Sequence, residues 1–201
     1  NRTANALLEL GVGKGDKVHL HLINCPEFLF LWFATAKIGA VLMPTNPLSP
    51  PDELSYPVHH SESVVSVTQP ELLTAVQAIR ERCPNLREVI VVGGGSDSEH
   101  SFADLIDGQS TKLRDVAIDP LDEVAIMYTS GTTSKPKGVL VTNANFVYLG
   151  EVISRIMGLG PEDRHLVTLP LFHANAMYYS FMTTLTVGAS AALMSRFSAS
   201  R

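Results

Sequence analysis

Cysteine is scarce. The chain has two, Cys25 and Cys83, far apart and in no metal-like spacing, so a disulfide framework or a zinc site has little support and both read as reduced packing residues of a cytoplasmic protein. Positive charge is short as well. Lys and Arg number 15 against 20 Asp and Glu, and the formal charge of −5 supplies no electrostatic reason to bind nucleic acid or an anionic membrane. Long apolar runs are missing too. The richest, Phe28 to Ala36, is closed by Lys37 and falls short of the roughly eighteen residues of a spanning helix, so a soluble protein is expected. No signal peptide opens the chain: Asn1 and its neighbours read as the middle of a helix, and a piece of a longer protein is expected. What is there is 201 residues, 45% hydrophobic, enough for a core in one domain or two tightly joined lobes.

The pattern along the chain alternates helix and strand. Ala4, Leu7 and Leu8 follow helical spacing, and Gly11 with Val12 reads as a left-handed C-cap and its apolar contact. Lys17 to Leu22 alternates, with Val18, Leu20 and Leu22 on one face and His19 and His21 on the other. Two histidines on one strand face could ligate a metal, but no third ligand is evident nearby, and the expectation is surface histidines. Pro26 suits a first helical position and Gly39 a C-cap, around a segment apolar nearly all round that should be buried on several sides. A strand, Val41 to Met43, leads to the Pro44-Thr45-Asn46-Pro47 turn. Ser49 should cap the next helix, and Pro57 should end or kink it.

Ser63 to Thr68 and Glu88 to Val92 read as strands around a helix with the stripe Leu72, Val76, Ile79 and Cys83. The triple glycine Gly93-Gly94-Gly95 lacks GxGxxG spacing and is expected to be a surface turn. Residues 96 to 121 are polar, with one short helix near Phe102 to Ile106. Later, Thr142 caps a helix with the stripe Phe146, Leu149, Ile153 and Ile156; Arg164 to Leu169 is a strand; Asn175 caps a last helix reaching about Thr186; and Ala189 to Met194 is a closing strand. This order predicts an α/β fold with a helix-covered, largely parallel sheet. Its expected division is a first lobe at 1–95, a connection at 96–121 and a second α/β segment at 122–201.

The stretch most informative about chemistry is Ile126 to Val141, IMYTSGTTSKPKGVLV. Two β-prone runs flank Thr129, Ser130, Gly131, Thr132, Thr133, Ser134, Lys135, Pro136, Lys137 and Gly138. Hydroxyls, amides freed by glycine and two ammonium groups suit an anion with many oxygens, and phosphate is the natural candidate. A Walker A loop is excluded by the order: the lysine precedes the second glycine, and a strand follows where a helix should start.

The order TSGTT-x-KPKG resembles the phosphate-binding motif of the adenylate-forming superfamily, which includes acyl-CoA synthetases, luciferases and peptide-synthetase adenylation domains. AKIGAVLMPTNP resembles its second core motif, read here as helix packing and a tight turn. PLFH, at Pro170 to His173, resembles the motif whose histidine lines the acyl pocket. The wording NRTAN, GDKV, NCPEF and TTSKPKG looks closest to the carnitine or crotonobetaine CoA ligase branch. The resemblance runs over essentially the whole chain and implies part of the large N-terminal domain of such an enzyme.

It implies a two-step reaction. A carboxylate attacks the α-phosphorus of ATP to give acyl-AMP and pyrophosphate, and CoA then displaces AMP; Mg2+ assists. Thr129, Ser130, Gly131, Thr132, Thr133, Ser134, Lys137 and Gly138 would hold the phosphates, with Lys135 in a supporting electrostatic role. Thr132, Lys137 and His173 would be catalytic, and His173 with Asn175 would contact the acid; Met177 and Tyr178 would either shape the pocket or pack in the core. Ser134 stands where the family has Gly, which costs something if that position needs positive φ. No Tyr-Gly-x-Thr-Glu, no later Thr-Gly-Asp and no lid lysine occur in the chain. Little or no turnover is therefore expected from this piece alone. Two alternatives stay open: transfer of the acyl group to a carrier protein or another acceptor, and a non-catalytic nucleotide- or acyl-binding module.

Overall fold

The computed structural model describes residues 1–95, 99–129 and 135–198. Helix α1 (Arg2–Glu9), strand β1 (Lys17–His21), helix α2 (Pro26–Ile38), strand β2 (Val41–Pro44), helix α3 (Pro51–His60), strand β3 (Val65–Thr68), helix α4 (Leu73–Ile79) and strand β4 (Glu88–Val91) follow in strict alternation. Strand β5 (His100–Ser101) and helix α5 (Phe102–Ile106) come next, then the hairpin strands β6 (Glu123–Tyr128) and β7 (Gly138–Thr142). Helix α6 (Asn143–Met157), strand β8 (Arg164–Val167), a π-helical segment (Asn175–Met182), helix α7 (Thr183–Thr186) and strand β9 (Ser190–Leu193) complete it.

Seven strands form one sheet in the order β5-β4-β3-β1-β2-β6-β7, and β8 pairs with β9 in a second. Every pairing is parallel except β6 with β7. The α/β, largely parallel expectation therefore holds. After β2 the chain crosses to the far side of β1, which makes β1 and β3 a switch point where loops diverge at the strands' carboxyl ends. Because β1, β2, β3 and β6 are parallel, their carboxyl ends share one edge. On that edge lie Asn24, Thr45, Gln69 and Thr129.

Both faces of the large sheet are covered. One carries Val18, Leu20, Leu42, Val65 and Val67 against Leu7, Phe28, Leu31 and Trp32; the other carries Val41, Met43, Val89 and Ile126 against Leu54, Val58, Val76 and Ile79. This corrects the reading of His19 and His21 as surface residues. Both are fully buried, since a parallel sheet has no wet face. His19 Nδ1 lies 2.8 Å from Ser66 Oγ and its Nε2 2.8 Å from Thr45 Oγ1, while His21 Nδ1 lies 3.0 Å from the same Thr45 hydroxyl.

Local signals placed most helix ends. Gly11 takes φ +77° and the Val12 N–H returns to Leu7 O at 2.9 Å; Gly39 takes φ +69° at the end of α2. Helix α2 buries Phe28, Leu31 and Trp32, though Phe30 is half exposed. Thr142 caps α6 with a reciprocal bond to Asn145, as its hydroxyl predicts.

Four expectations are corrected. Ser49 caps nothing, because Pro51 holds Pro50 extended and makes it the N-cap. Pro57 does not end α3: the helix continues to His60, with buried Leu54 and Val58 anchoring the turns on either side. The fully buried positions of α6 are Phe146, Gly150 and Ser154; of the expected stripe Leu149 and Ile153 are half-buried, and Ile156 is 74% exposed. Gly150 sets that face, since a Cβ there would stand 2.9 Å from Met182 O and 2.6 Å from Thr186 Cγ2. Asn175 is not a cap; it is the first residue of the π-helical segment, whose N-cap is Ala174.

Candidate functional site

The hairpin is built from the strand register. Tyr128 pairs with Gly138 and Met127 with Val139, and the Thr129 N–H closes the stem on Lys137 O at 3.0 Å. Thr129 Oγ1 approaches the same carbonyl at 3.4 Å. Thr129, Lys135, Lys137 and Gly138 are all exposed. Ser130, Gly131, Thr132, Thr133 and Ser134 lie outside the described residues. Gly138 has a packing reason of its own: a Cβ would meet Ile126 Cγ2 at 2.8 Å and the Tyr128 ring at 3.4 Å. Among the described residues neither lysine has a carboxylate partner. Two uncompensated ammonium groups at a hairpin tip form a local positive field on a chain that is acidic overall.

His173, on the turn that follows β8, and Asn175, the first residue of the π-helical segment, are both exposed. The imidazole packs on Phe172, centroids 4.0 Å apart, and makes no side-chain hydrogen bond among the described residues. Its backbone starts the next segment, accepting the Met177 N–H at 3.2 Å. That segment is π-helical, a form that is rare and frequent at functional sites. Met177 and Tyr178 face the core. The Tyr178 ring sits 4.8 Å from Phe146, burial pushes its phenol well up, and its hydroxyl is buried without a hydrogen-bond partner among the described residues.

Asn24 ties the segment that carries His173 to the carboxyl edge of the large sheet, a role that its place in the sequence does not announce. Its side-chain N–H groups donate to Leu169 O at 3.0 Å and Met194 O at 2.9 Å, and its Oδ1 accepts the Leu171 N–H at 2.7 Å. The partners are far off in sequence, so only the position of Asn24 just beyond β1 hints at them. This one side chain fixes both arms of the β8–β9 sheet and the Pro170–His173 turn against the carboxyl edge. Asn24→Ala is expected to cost about 2–3 kcal/mol, because it orphans one buried N–H and two partly buried carbonyls. Urea unfolding checks it, and a loss within about 0.5 kcal/mol, the ordinary range for surface changes, would contradict the clamp.

Other chemistries find less support. Burial raises the Cys25 thiol to about 11 and raises that of Cys83 also, so neither is an activated nucleophile. Among the described residues no three His, Cys, Asp or Glu side chains gather as a metal site. No described helix is long and apolar enough to cross a membrane. The larger clefts lie away from the hairpin: one of about 740 Å³ beside Asn5, Lys112 and Arg114, another of about 570 Å³ beside Ile118, Val147 and Tyr148.

Comparison with known proteins agrees with this geometry. Residues 1–201 match the profile of the AMP-binding enzyme family. A crotonobetaine/carnitine–CoA ligase of Escherichia coli O1:K1 / APEC is 36% identical over 204 aligned residues, covering 99% of this chain and 40% of the relative. The chain thus spans about two fifths of the length of the curated relatives it matches. The crystal structure of the anthranilate CoA ligase AuaEII with anthranoyl-AMP superposes with a TM-score of 0.94 at 28% identity, over 99% of this chain and 39% of that one. The inhibitor-bound N-terminal domain of FACL13 from Mycobacterium tuberculosis gives 0.86 at 30% identity, over 99% and 49%. By its full-length sequence match and its shared fold, the chain belongs to the AMP-binding enzyme family.

Proposed function

We propose that the protein carrying this segment is an ATP-dependent carboxylic acid:CoA ligase that works through an acyl-adenylate and releases pyrophosphate. The observation that carries the proposal is the stem of the hairpin, where the Thr129 to Lys137 closure presents two exposed lysines, neither with a carboxylate partner among the described residues, at the end of the strand pair. Lys137, with Thr129 and the hydroxyl- and glycine-rich residues 130–134, would hold the β and γ phosphates. A donor there works when its contact tightens as charge moves onto departing pyrophosphate. His173, on the turn that Asn24 pins, and Asn175, which opens the π-helical segment behind it, would meet the carboxylate of the acid or its adenylate. CoA would then take the acyl group.

Names of relatives support the reading: a crotonobetaine/carnitine–CoA ligase in sequence, and a CoA ligase holding anthranoyl-AMP in structure. A carnitine-like acid is the finer expectation, with Mg2+ accompanying ATP and a cytoplasmic setting that suits two free thiols. The division at 1–95, 96–121 and 122–201 belongs to the same proposal. Exchange of labelled pyrophosphate into ATP by the full-length protein, dependent on an added carboxylate such as crotonobetaine, tests it. ATP binding with no exchange across a panel of acids would overturn the ligase and favour a binding module.

A further inference from the structure

Tyr56, His60 and Tyr128 form an aromatic cluster to which the phosphate-binding hairpin gives no task. Helix α3 carries Tyr56 and His60 one turn apart, and their rings stack with centroids 5.2 Å apart. Tyr128, the last residue of β6, stands edge-on to both at 6.4 and 5.9 Å, and its hydroxyl lies 2.7 Å from His60 Nδ1. Burial, with a smaller contribution from Tyr56, raises the Tyr128 phenol to about 12, so it keeps its proton at neutral pH and can donate to that nitrogen. The cluster is therefore a braced surface rather than three loose rings.

Lys135 rests on it. Its Nζ lies 5.1 Å from the Tyr56 ring centroid, within cation–π range, and it has no ion pair among the described residues. Lys135 and Lys137 are separated only by Pro136, whose ring locks φ. Where Lys135 sits thus limits where Lys137 can stand. An exposed cation–π contact is weak beside a charge-assisted bond to phosphate, so a polyphosphate can outcompete it.

We infer that Tyr56, braced by His60 and Tyr128, is a positioning residue: it seats Lys135 in the absence of nucleotide and yields it when a polyphosphate anion draws the ammonium away. The inference rests on the phosphate-binding reading of the hairpin. Reductive dimethylation with labelled formaldehyde keeps the charge of the chain's six lysines and gives each a methyl signal, with Lys135→Arg identifying the one required. In the dimethylated protein without tripolyphosphate that signal should lie upfield, shifted by the Tyr56 ring current. The displacement should survive Tyr56→Phe and vanish in Tyr56→Leu. Added tripolyphosphate should abolish it while the phosphorus spectrum reports binding. A Lys135 signal without upfield displacement, or one still displaced when tripolyphosphate is bound, would overturn the seat. Failure of tripolyphosphate to bind, visible in the phosphorus spectrum, would instead overturn the hairpin reading and the release with it.

Discussion

In the full-length protein, Lys137→Met is expected to lower carboxylate-dependent exchange of pyrophosphate into ATP by about 100- to 1000-fold, the loss found when one preorganised donor to developing charge is removed. The structure separates this effect from folding. The part of Lys137 that holds the hairpin is its carbonyl, which accepts the Thr129 N–H at 3.0 Å and is present in any variant. Its side chain is exposed and has no carboxylate partner among the described residues, so Met should leave the unfolding midpoint nearly unchanged. Lys137→Arg keeps the charge but replaces a compact ammonium by a planar fork, and should fall between the two. Exchange rates and urea midpoints measured on the same three proteins decide the matter. Activity in Lys137→Met within a few-fold of the parent would remove this lysine from the transition state, whatever else the hairpin does.

The parts of this design that were legible in the sequence are those set by neighbours in the chain. Pro26 and Gly39 bound α2, Thr142 and Asn145 cap α6, and the two β-prone runs around the glycine- and hydroxyl-rich loop become β6 and β7 because each signal acts within a few residues. Position on the sheet is a different kind of information. Alternation in β1 looked like a strand with one wet face, yet α3 and α4 cover that face, and the histidines are buried there with Thr45 and Ser66 as partners. The bond from Asn24 to Met194 spans 170 positions, and no local pattern encodes it. Strand β5, two residues long, is too short for periodicity to show. In the site, the motif named the residues, while the seat under Lys135 needed the approach of α3 to the end of β6.

Acid should unfold this protein through the same buried histidines. Burial lowers His21 from the ordinary 6.5 to about 4, and burial, with a contribution from the neighbouring His21, holds His19 well below its usual value. Neutral imidazoles are therefore favoured in the folded chain. Their contribution is complete above pH 6.5, where both states are neutral, and is lost as pH falls toward 4, because the unfolded chain takes up protons that the folded one refuses. For His21 alone, a shift of this size corresponds to about 3 kcal/mol. His19 adds to it in the same direction, with both ring nitrogens already committed to hydroxyls. Acid acts on carboxylates as well as on histidines, so a single pH profile would mix causes. His21→Gln separates them, since the amide fills similar space and does not titrate. The parent should lose stability steeply between pH 6.5 and 4.5 in urea unfolding, and the variant should show a visibly shallower slope. Parallel slopes for the two proteins would mean that the buried pair takes up its protons without opening the sheet.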